Sequence, residues 1–180
     1  MKHSAIILVF VLLLAVGRAD AQKAPSGIAF TSRYTNLDTD CRTLAGRGGT
    51  DDAYQCRGVG GYRMYVGYSA LSTIIKIYAR NDESVGDIPM QSLDFDQTKI
   101  KVEWRLANGK PFAVIIRLYK YGEDSVDEFN RFGKKVGEEL KIVGLKGFED
   151  IDFTVDANAP DANAKARELA DDAFREKQTD

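Results

Sequence analysis

Residues 99–121 read KIKVEWRLANGKPFAVIIRLYKY, and this stretch decides the fold class. In its first half, apolar residues such as Val102 and Trp104 alternate with charged ones, which is the two-residue period of a half-buried β-strand. Its second half, Phe112–Tyr119, is almost continuously apolar, as expected of a strand covered on both faces. An Asn-Gly pair lies between the halves and is a strong hairpin signal. The stretch therefore predicts two paired antiparallel strands.

The loop length of this hairpin follows from the need to keep one face apolar. A two-residue loop of Asn108 and Gly109 would place Trp104 opposite Ala113 and Ile100 opposite Arg117. A three-residue loop that ends in a left-handed Gly109 instead pairs apolar residues with each other: Trp104 with Phe112, Val102 with Val114 and Ile100 with Ile116. Because a slip of one residue turns every side chain to the other face, we predict the three-residue loop.

Weaker alternation predicts strands on both sides of this hairpin. One further hairpin is predicted from Tyr62–Tyr68 and Thr73–Ala79, and another from Glu139–Leu145 and Asp150–Val155. Single strands are predicted at Gly27–Arg33 and Pro89–Phe95, whereas residues 34–60 are predicted to be irregular. The segment 125–132 fits either a short helix with a capping box or a loop.

The end of the chain changes to a helical period. The apolar side chains that share one helical face, with Asp161 or Asn163 as the cap, are Ala162, Ala166, Leu169, Ala170, Ala173 and Phe174. Since alanines dominate this face, we expect the helix to pack closely against a sheet. The predicted fold class is α+β: a mainly antiparallel β-sheet of about six to eight strands, with a C-terminal α-helix packed on it.

The first residues predict a secretory signal peptide, residues 1–21. A short basic start precedes the apolar run Ala5–Val16, and Ala19-Asp20-Ala21 has the small-x-small cleavage pattern. The run is shorter than the roughly 20 residues that span a bilayer, so no membrane insertion is expected after cleavage. Residues 22–180 are then one globular β-rich domain, with 172–180 as a fraying end, in the periplasm or outside the cell.

Cleavage also removes His3, the only histidine, and leaves Cys41 and Cys56 as the only thiols. Export places these cysteines in an oxidising compartment, where a structural disulfide between them is expected. The alternative, a reactive thiol pair, usually has Cys-x-x-Cys spacing. The histidine-free mature chain lacks the commonest catalytic base and most zinc ligands.

Charge and motifs narrow the possible ligands. Loss of Lys2, Arg18 and Asp20 changes the net charge from −2 to about −3, which argues against nucleic acid. The run from Arg57 to Tyr62 contains three glycines but leads into a strand rather than a helix, so we interpret it as a tight strand start and not a phosphate cradle. No cofactor and no metal are predicted.

The acidic residues allow two further hypotheses. Glu149, Asp150, Asp152, Asp156 and Asp161 could suggest calcium, but they do not fit an EF-type loop, and alternation explains Asp150, Asp152 and Asp156 as the polar face of a strand. Glu103, Asp94 and Asp96 could supply paired carboxylates for glycan hydrolysis, which needs no histidine. The sequence leaves catalysis open and favours a non-catalytic role.

Arg57, Tyr62 and Tyr65 are the predicted ligand-binding residues. They cluster beside the glycine-rich turn and the predicted disulfide, and tyrosine is favoured in contact surfaces. The alternative is that tyrosines are simply good strand residues at the margin of a core.

Three segments carry a resemblance to a known family. They are Cys56-Arg57-Gly58-Val59-Gly60-Gly61-Tyr62, Glu103-Trp104-Arg105 before Lys110-Pro111, and Asp161-Ala162-Asn163 followed by Ala166-Arg167 and Ala170-Asp171. With them the chain resembles a family of small exported bacterial proteins of no known activity. The resemblance implies export and a compact β-rich domain, and it supplies no catalytic residue.

The sequence thus predicts an exported, non-catalytic binding or interaction protein of the cell envelope, with an envelope protein or a glycan as its partner. Two alternatives stay open: a carboxylate-dependent glycan hydrolase, and a structural envelope component.

Overall fold

The computed structural model describes residues 27–44, 53–69, 72–81, 83–91, 101–122 and 135–179. Within them lie ten strands and one helix. The elements are β1 Phe30–Asn36, β2 Cys41–Leu44, β3 Ala53–Arg57, β4 Arg63–Ser69, β5 Ser72–Tyr78, β6 Ser84–Gln91, β7 Lys101–Ala107, β8 Lys110–Tyr121, β9 Lys135–Gly144, β10 Asp152–Asp156 and α1 Ala162–Lys177. The predicted signal peptide, the segment 125–132, Asp94 and Asp96 lie outside the described residues.

All strand pairs are antiparallel, and the strands form two sheets of five. One sheet, the helix-backed sheet, has the order β1-β7-β8-β9-β10, and the other, the meander sheet, runs β2-β3-β4-β5-β6. The predicted fold class, antiparallel β with a packed C-terminal helix, is confirmed. The strand number exceeds the predicted range because residues 34–60, predicted to be irregular, contain the end of β1 and all of β2 and β3. These strands are short and polar, so their alternation is weak in the sequence.

The β7–β8 hairpin differs from its predicted register. Its loop is the two-residue Asn108-Gly109, with φ of 50° and 80°, and Ala107 faces Lys110 across it. A register shift between Arg105 and Leu106 then pairs Trp104 with Val114 and Val102 with Ile116. The predicted three-residue loop is therefore wrong, although the apolar face that motivated it is preserved. A β-bulge adds one residue to a strand, so it changes the register as a longer loop would.

Two cores lie on opposite faces of the helix-backed sheet. Between the sheets, Trp104 and Ile116 pack with Met64, Ile75 and Ile77 of the meander sheet. On the other face, Ala113, Ile115 and Ile142 pack with α1. Strand β8 contributes to both cores, which confirms that its continuous apolar run reflects burial on two sides.

Helix α1 presents the predicted alanine face to the sheet. Ala162, Ala166 and Ala170 are buried, and Phe174 packs beside them. Asp161 occupies the N-cap position with a left-handed φ of 56°, and its side chain makes no capping hydrogen bond. In the described part of the chain, no helix is long and apolar enough to cross a membrane.

Candidate binding surface

The predicted disulfide is present and joins the edge strand of the meander sheet to its neighbour. Cys41 on β2 and Cys56 on β3 face each other directly, and their sulfur atoms are bonded. Cys56 is buried in the core between the sheets. A disulfide of this kind is consistent with an oxidising compartment outside the cytoplasm.

The glycine-rich run is a tight connection between β3 and β4. The Gly58 N–H donates to the Tyr62 carbonyl at 3.1 Å, and the Tyr62 N–H donates to the Val59 carbonyl at 3.2 Å. A Cβ on Gly58 would lie 2.5 Å from the Tyr62 carbonyl oxygen, so the chain passes itself too closely for a larger residue. The run leads from strand to strand, as interpreted from the sequence, and does not open a helix.

The structure separates the three predicted ligand-binding residues. Arg57 and Tyr65 lie on the solvent-facing side of the meander sheet, because they alternate along β3 and β4 with residues that are buried in the core: Cys56, Met64 and Val66. Tyr62 instead packs on Trp104 at the margin of the core, with ring centroids 5.9 Å apart. Arg57 and Tyr65 therefore belong to one surface, and Tyr62 has a packing role.

Burial raises the pKa of the Tyr62 hydroxyl, and a hydrogen bond with the backbone of Lys146 partly offsets this effect. A hydroxyl whose pKa is higher in the folded than in the unfolded protein adds fully to the free energy of unfolding at pH values below the unfolded pKa, which is about 10 for tyrosine. This contribution is lost as the pH rises through the folded pKa. The Tyr62→Phe variant should therefore lose less stability than the native protein between about pH 8 and pH 10.5. Urea unfolding at both pH values measures the difference. Equal losses in the two proteins would contradict the prediction.

Tyr65 lies in a row of polar side chains that crosses all five strands of the meander sheet. From β2 to β6 the facing residues are Arg42, Gln55, Tyr65, Lys76 and Asp87. The neighbouring row contains Arg57, Arg63 and Tyr78. We call these eight residues the outer face. Along β4 and β5, the residues of the outer face alternate with Met64, Ile75 and Ile77, which point into the core.

Several side chains of the outer face are held by contacts with one another. Arg42 donates from Nε to Gln55 Oε1 at 2.9 Å and also from Nη2 to the same oxygen. The Gln55 amide in turn donates from Nε2 to the Tyr65 hydroxyl at 2.8 Å. The Tyr65 and Tyr78 rings meet edge to face, with centroids 5.1 Å apart and planes at 82°. This part of the surface is thus organised before any partner arrives.

The outer face has a charge opposite to that of the whole chain. It carries four cationic side chains, Arg42, Arg57, Arg63 and Lys76, and one anionic side chain, Asp87. The whole chain has a net charge of −2. Clustering of one sign of charge on one surface raises the local concentration of ligands of the opposite sign.

Two adjoining depressions lie beside the outer face, where the edges of the two sheets meet. The larger, of about 590 Å³, is lined by Asp40, Arg42, Arg57, Arg63 and the disulfide. The smaller, of about 310 Å³, is lined by Arg33, Asp40, Arg57 and the glycine-rich run. Because Asp40 and Arg57 line both, we call the pair of depressions the arginine groove.

The backbone of Arg57 is fixed on both sides within this groove. Its N–H donates to the Asp40 carbonyl at 3.0 Å, and its carbonyl accepts from Thr35 Oγ1 at 2.8 Å. The Thr35 hydroxyl also accepts from Trp104 Nε1 at 3.0 Å. The exposed Arg57 side chain therefore projects from a backbone that is anchored to the core.

Glu103, a candidate for paired-carboxylate chemistry, is already engaged with other side chains. It is buried under α1, where its Oε1 accepts from Ser32 Oγ at 2.5 Å and from Arg167 Nε at 2.6 Å. Its Oε2 accepts from Arg167 Nη2 at 3.1 Å. A general acid or a nucleophile must reach the substrate, whereas Glu103 lies between the helix and the sheet. The other two candidates, Asp94 and Asp96, are outside the described residues.

The acidic cluster near the C terminus has the predicted alternation. Asp150, Asp152 and Asp156 are exposed, while Ile151 between them is buried. Asp150 accepts from Lys177 Nζ at 2.8 Å, and Asp152 is paired with Lys141. No group of three or more potential metal ligands occurs among the residues that the structure describes.

The sequence indicated only part of this surface. Their proximity to the glycine-rich turn indicates Arg57 and Tyr65. The sequence does not indicate Arg42, Gln55 and Lys76, because they come from three different strands and their common row depends on register across the sheet. The alternation of Lys76 with Ile75 and Ile77 was the one local signal that it faces outward.

Comparison of the chain with models of protein families, with curated proteins and with solved structures finds no match.

Proposed function

We propose that this chain is an exported, non-catalytic binding module of the cell envelope, and that the outer face is its contact surface for an acidic partner. The observation that carries the proposal is the concentration of four cations and two tyrosines on one solvent-facing sheet surface of an acidic chain. Arginine and tyrosine dominate the energetics of protein contact surfaces. Complementary charge both speeds association and excludes partners of the same sign.

Export is part of this proposal and rests on the leader-like N terminus and the disulfide. A location in the periplasm or outside the cell follows, because disulfides persist in oxidising compartments and are rare in the cytosol. Mass spectrometry of the protein recovered from its native host should give a mature N terminus at Gln22. A full-length cytoplasmic product with reduced cysteines would contradict export.

The contact surface is tested by charge reversal. We expect the Arg57→Glu, Lys76→Glu double variant to bind immobilised poly-L-glutamate or polygalacturonate at least about tenfold more weakly than the native protein. The matched control is Lys110→Glu, Lys165→Glu, which changes the net charge equally at two exposed positions outside the outer face. Equal weakening by both variants, or no binding of either polymer by the native protein, would contradict the proposal.

A further inference from the structure

We propose that the acidic partner is a glycan whose sugars carry carboxylates, and that the arginine groove binds it. This inference rests on the proposed function and names the ligand class of the same surface. Three features support it: the arginines of the groove, a carboxylate among them, and tyrosines on the adjoining outer face.

The arginines of the groove provide hydrogen-bond donors for carboxylates. Arg57 projects from a backbone held by Asp40 and Thr35, and Arg42 is oriented by two hydrogen bonds to Gln55. A guanidinium group matches a carboxylate with two parallel hydrogen bonds, which gives both affinity and orientation. A side chain that is already oriented loses less conformational entropy on binding. The groove is therefore suited to a ligand with several anionic groups.

Asp40 indicates that the ligand also carries hydroxyl groups. Asp40 lines both depressions, so a ligand in the groove passes beside it. Asp40 Oδ2 accepts from the Asn36 N–H at 2.7 Å, and among the described residues no side chain donates to Oδ1. A carboxylate repels a ligand that presents only anionic groups, but accepts a hydrogen bond from a hydroxyl. Acidic sugars combine carboxylates and hydroxyls on one ring, whereas the backbone of DNA and the side chains of polyglutamate offer no hydroxyl.

Tyrosines of the outer face adjoin the arginine groove and are suited to contact a sugar. Tyr65 and Tyr78 lie on the outer face, where they face Gln55 and Arg63 of the groove lining. Partly exposed aromatic rings can pack against the apolar C–H faces of sugar rings.

Four probes separate the ligand classes in calorimetric titrations of the oxidised native protein. They are an oligogalacturonate, its methyl-esterified form, poly-L-glutamate and a single-stranded DNA oligonucleotide. We expect the oligogalacturonate to bind at least about tenfold more tightly than each of the other three. Equal or tighter binding of poly-L-glutamate or DNA would overturn the glycan assignment and leave an acidic-ligand function standing. Failure of all four to bind would overturn both proposals.

The role of Asp40 is tested by the conservative variant Asp40→Asn, which keeps an oxygen for the Asn36 N–H. We expect it to weaken oligogalacturonate binding about three- to tenfold, because a neutral amide is a weaker acceptor for a sugar hydroxyl. The same variant should bind poly-L-glutamate no more weakly than the native protein. Tighter binding of the oligogalacturonate would overturn the role of Asp40 as an acceptor and show that it only repels anions.

Discussion

Replacing Asp171 with alanine should lower the free energy of unfolding by about 3–5 kcal/mol, because it leaves a buried guanidinium without its counter-ion. Asp171 on α1 receives two hydrogen bonds from Arg105 on β7: Nε to Oδ1 at 3.0 Å and Nη2 to Oδ2 at 2.5 Å. The two side chains are only 8% and 13% exposed, so water replaces little of the lost contact. Arg105 also donates to Ser32 Oγ at 2.7 Å, which satisfies only one of its donor groups.

Equilibrium urea unfolding of three variants distinguishes a buried charge pair from simple loss of packing. Alongside Asp171→Ala, the double variant Arg105→Met, Asp171→Leu removes both charges and should be close to the native protein in stability, or above it. The exposed pair Lys165–Glu168 supplies the control, since Glu168→Ala should cost less than about 1 kcal/mol. A double variant as unstable as Asp171→Ala would show that packing, not the uncompensated charge, causes the loss.

The Trp104→Ala variant should lose about 3–5 kcal/mol of stability, because it opens a large cavity between the two sheets. Trp104 is fully buried and packs with residues of both sheets and with the Tyr62 ring. Its indole N–H donates to Thr35 Oγ1, and that hydroxyl donates to the Arg57 carbonyl. The substitution therefore also weakens the anchor of the arginine groove.

Two further variants complete the test: Trp104→Phe separates the packing of the ring from its hydrogen bond, and Val136→Ala is a control at an exposed position. Trp104→Phe keeps most of the apolar volume and leaves Thr35 without its indole donor, so we expect a smaller loss of about 1–3 kcal/mol. Val136→Ala, at a side chain that is 65% exposed, should change stability by no more than about 0.5 kcal/mol. Trp104 is the only tryptophan, so unfolding is followed by circular dichroism. Losses of the same size for Val136→Ala and Trp104→Ala would contradict the cavity argument.

Local pattern predicted the fold where the apolar period was strong. The hairpins β4–β5 and β9–β10, the doubly buried β8 and the alanine face of α1 all follow from residues close together in the chain. The prediction failed at β2 and β3, whose side chains are mostly polar or small, and in the loop length at Asn108-Gly109. The apolar face of that hairpin could be restored by a longer loop or by a bulge, and the sequence does not separate these two solutions.

The candidate surface was harder to predict than the fold. The sequence indicates Arg57 and Tyr65 but does not separate Tyr62 from them, because proximity along the chain does not show which face a residue occupies after a tight turn. The Gly58–Tyr62 turn directs Tyr62 toward Trp104 and leaves Arg57 outside. Arg42, with more than ten residues between it and Arg57, joins the same surface through the pairing of β2 with β3.

The sequence by itself determined the antiparallel β class, the C-terminal helix and the cysteine pair. The first two depend on the spacing of apolar residues along the chain, and the third depends on the number of cysteines. The tertiary structure alone decided which side chains form the outer face and the arginine groove. Side-chain alternation shows only that successive residues of a strand face opposite sides of the sheet. Which residues of other strands lie next to them depends on strand register and sheet stacking. Register and stacking are set by burying Trp104, Met64, Ile75 and their neighbours together, which is a property of the whole chain.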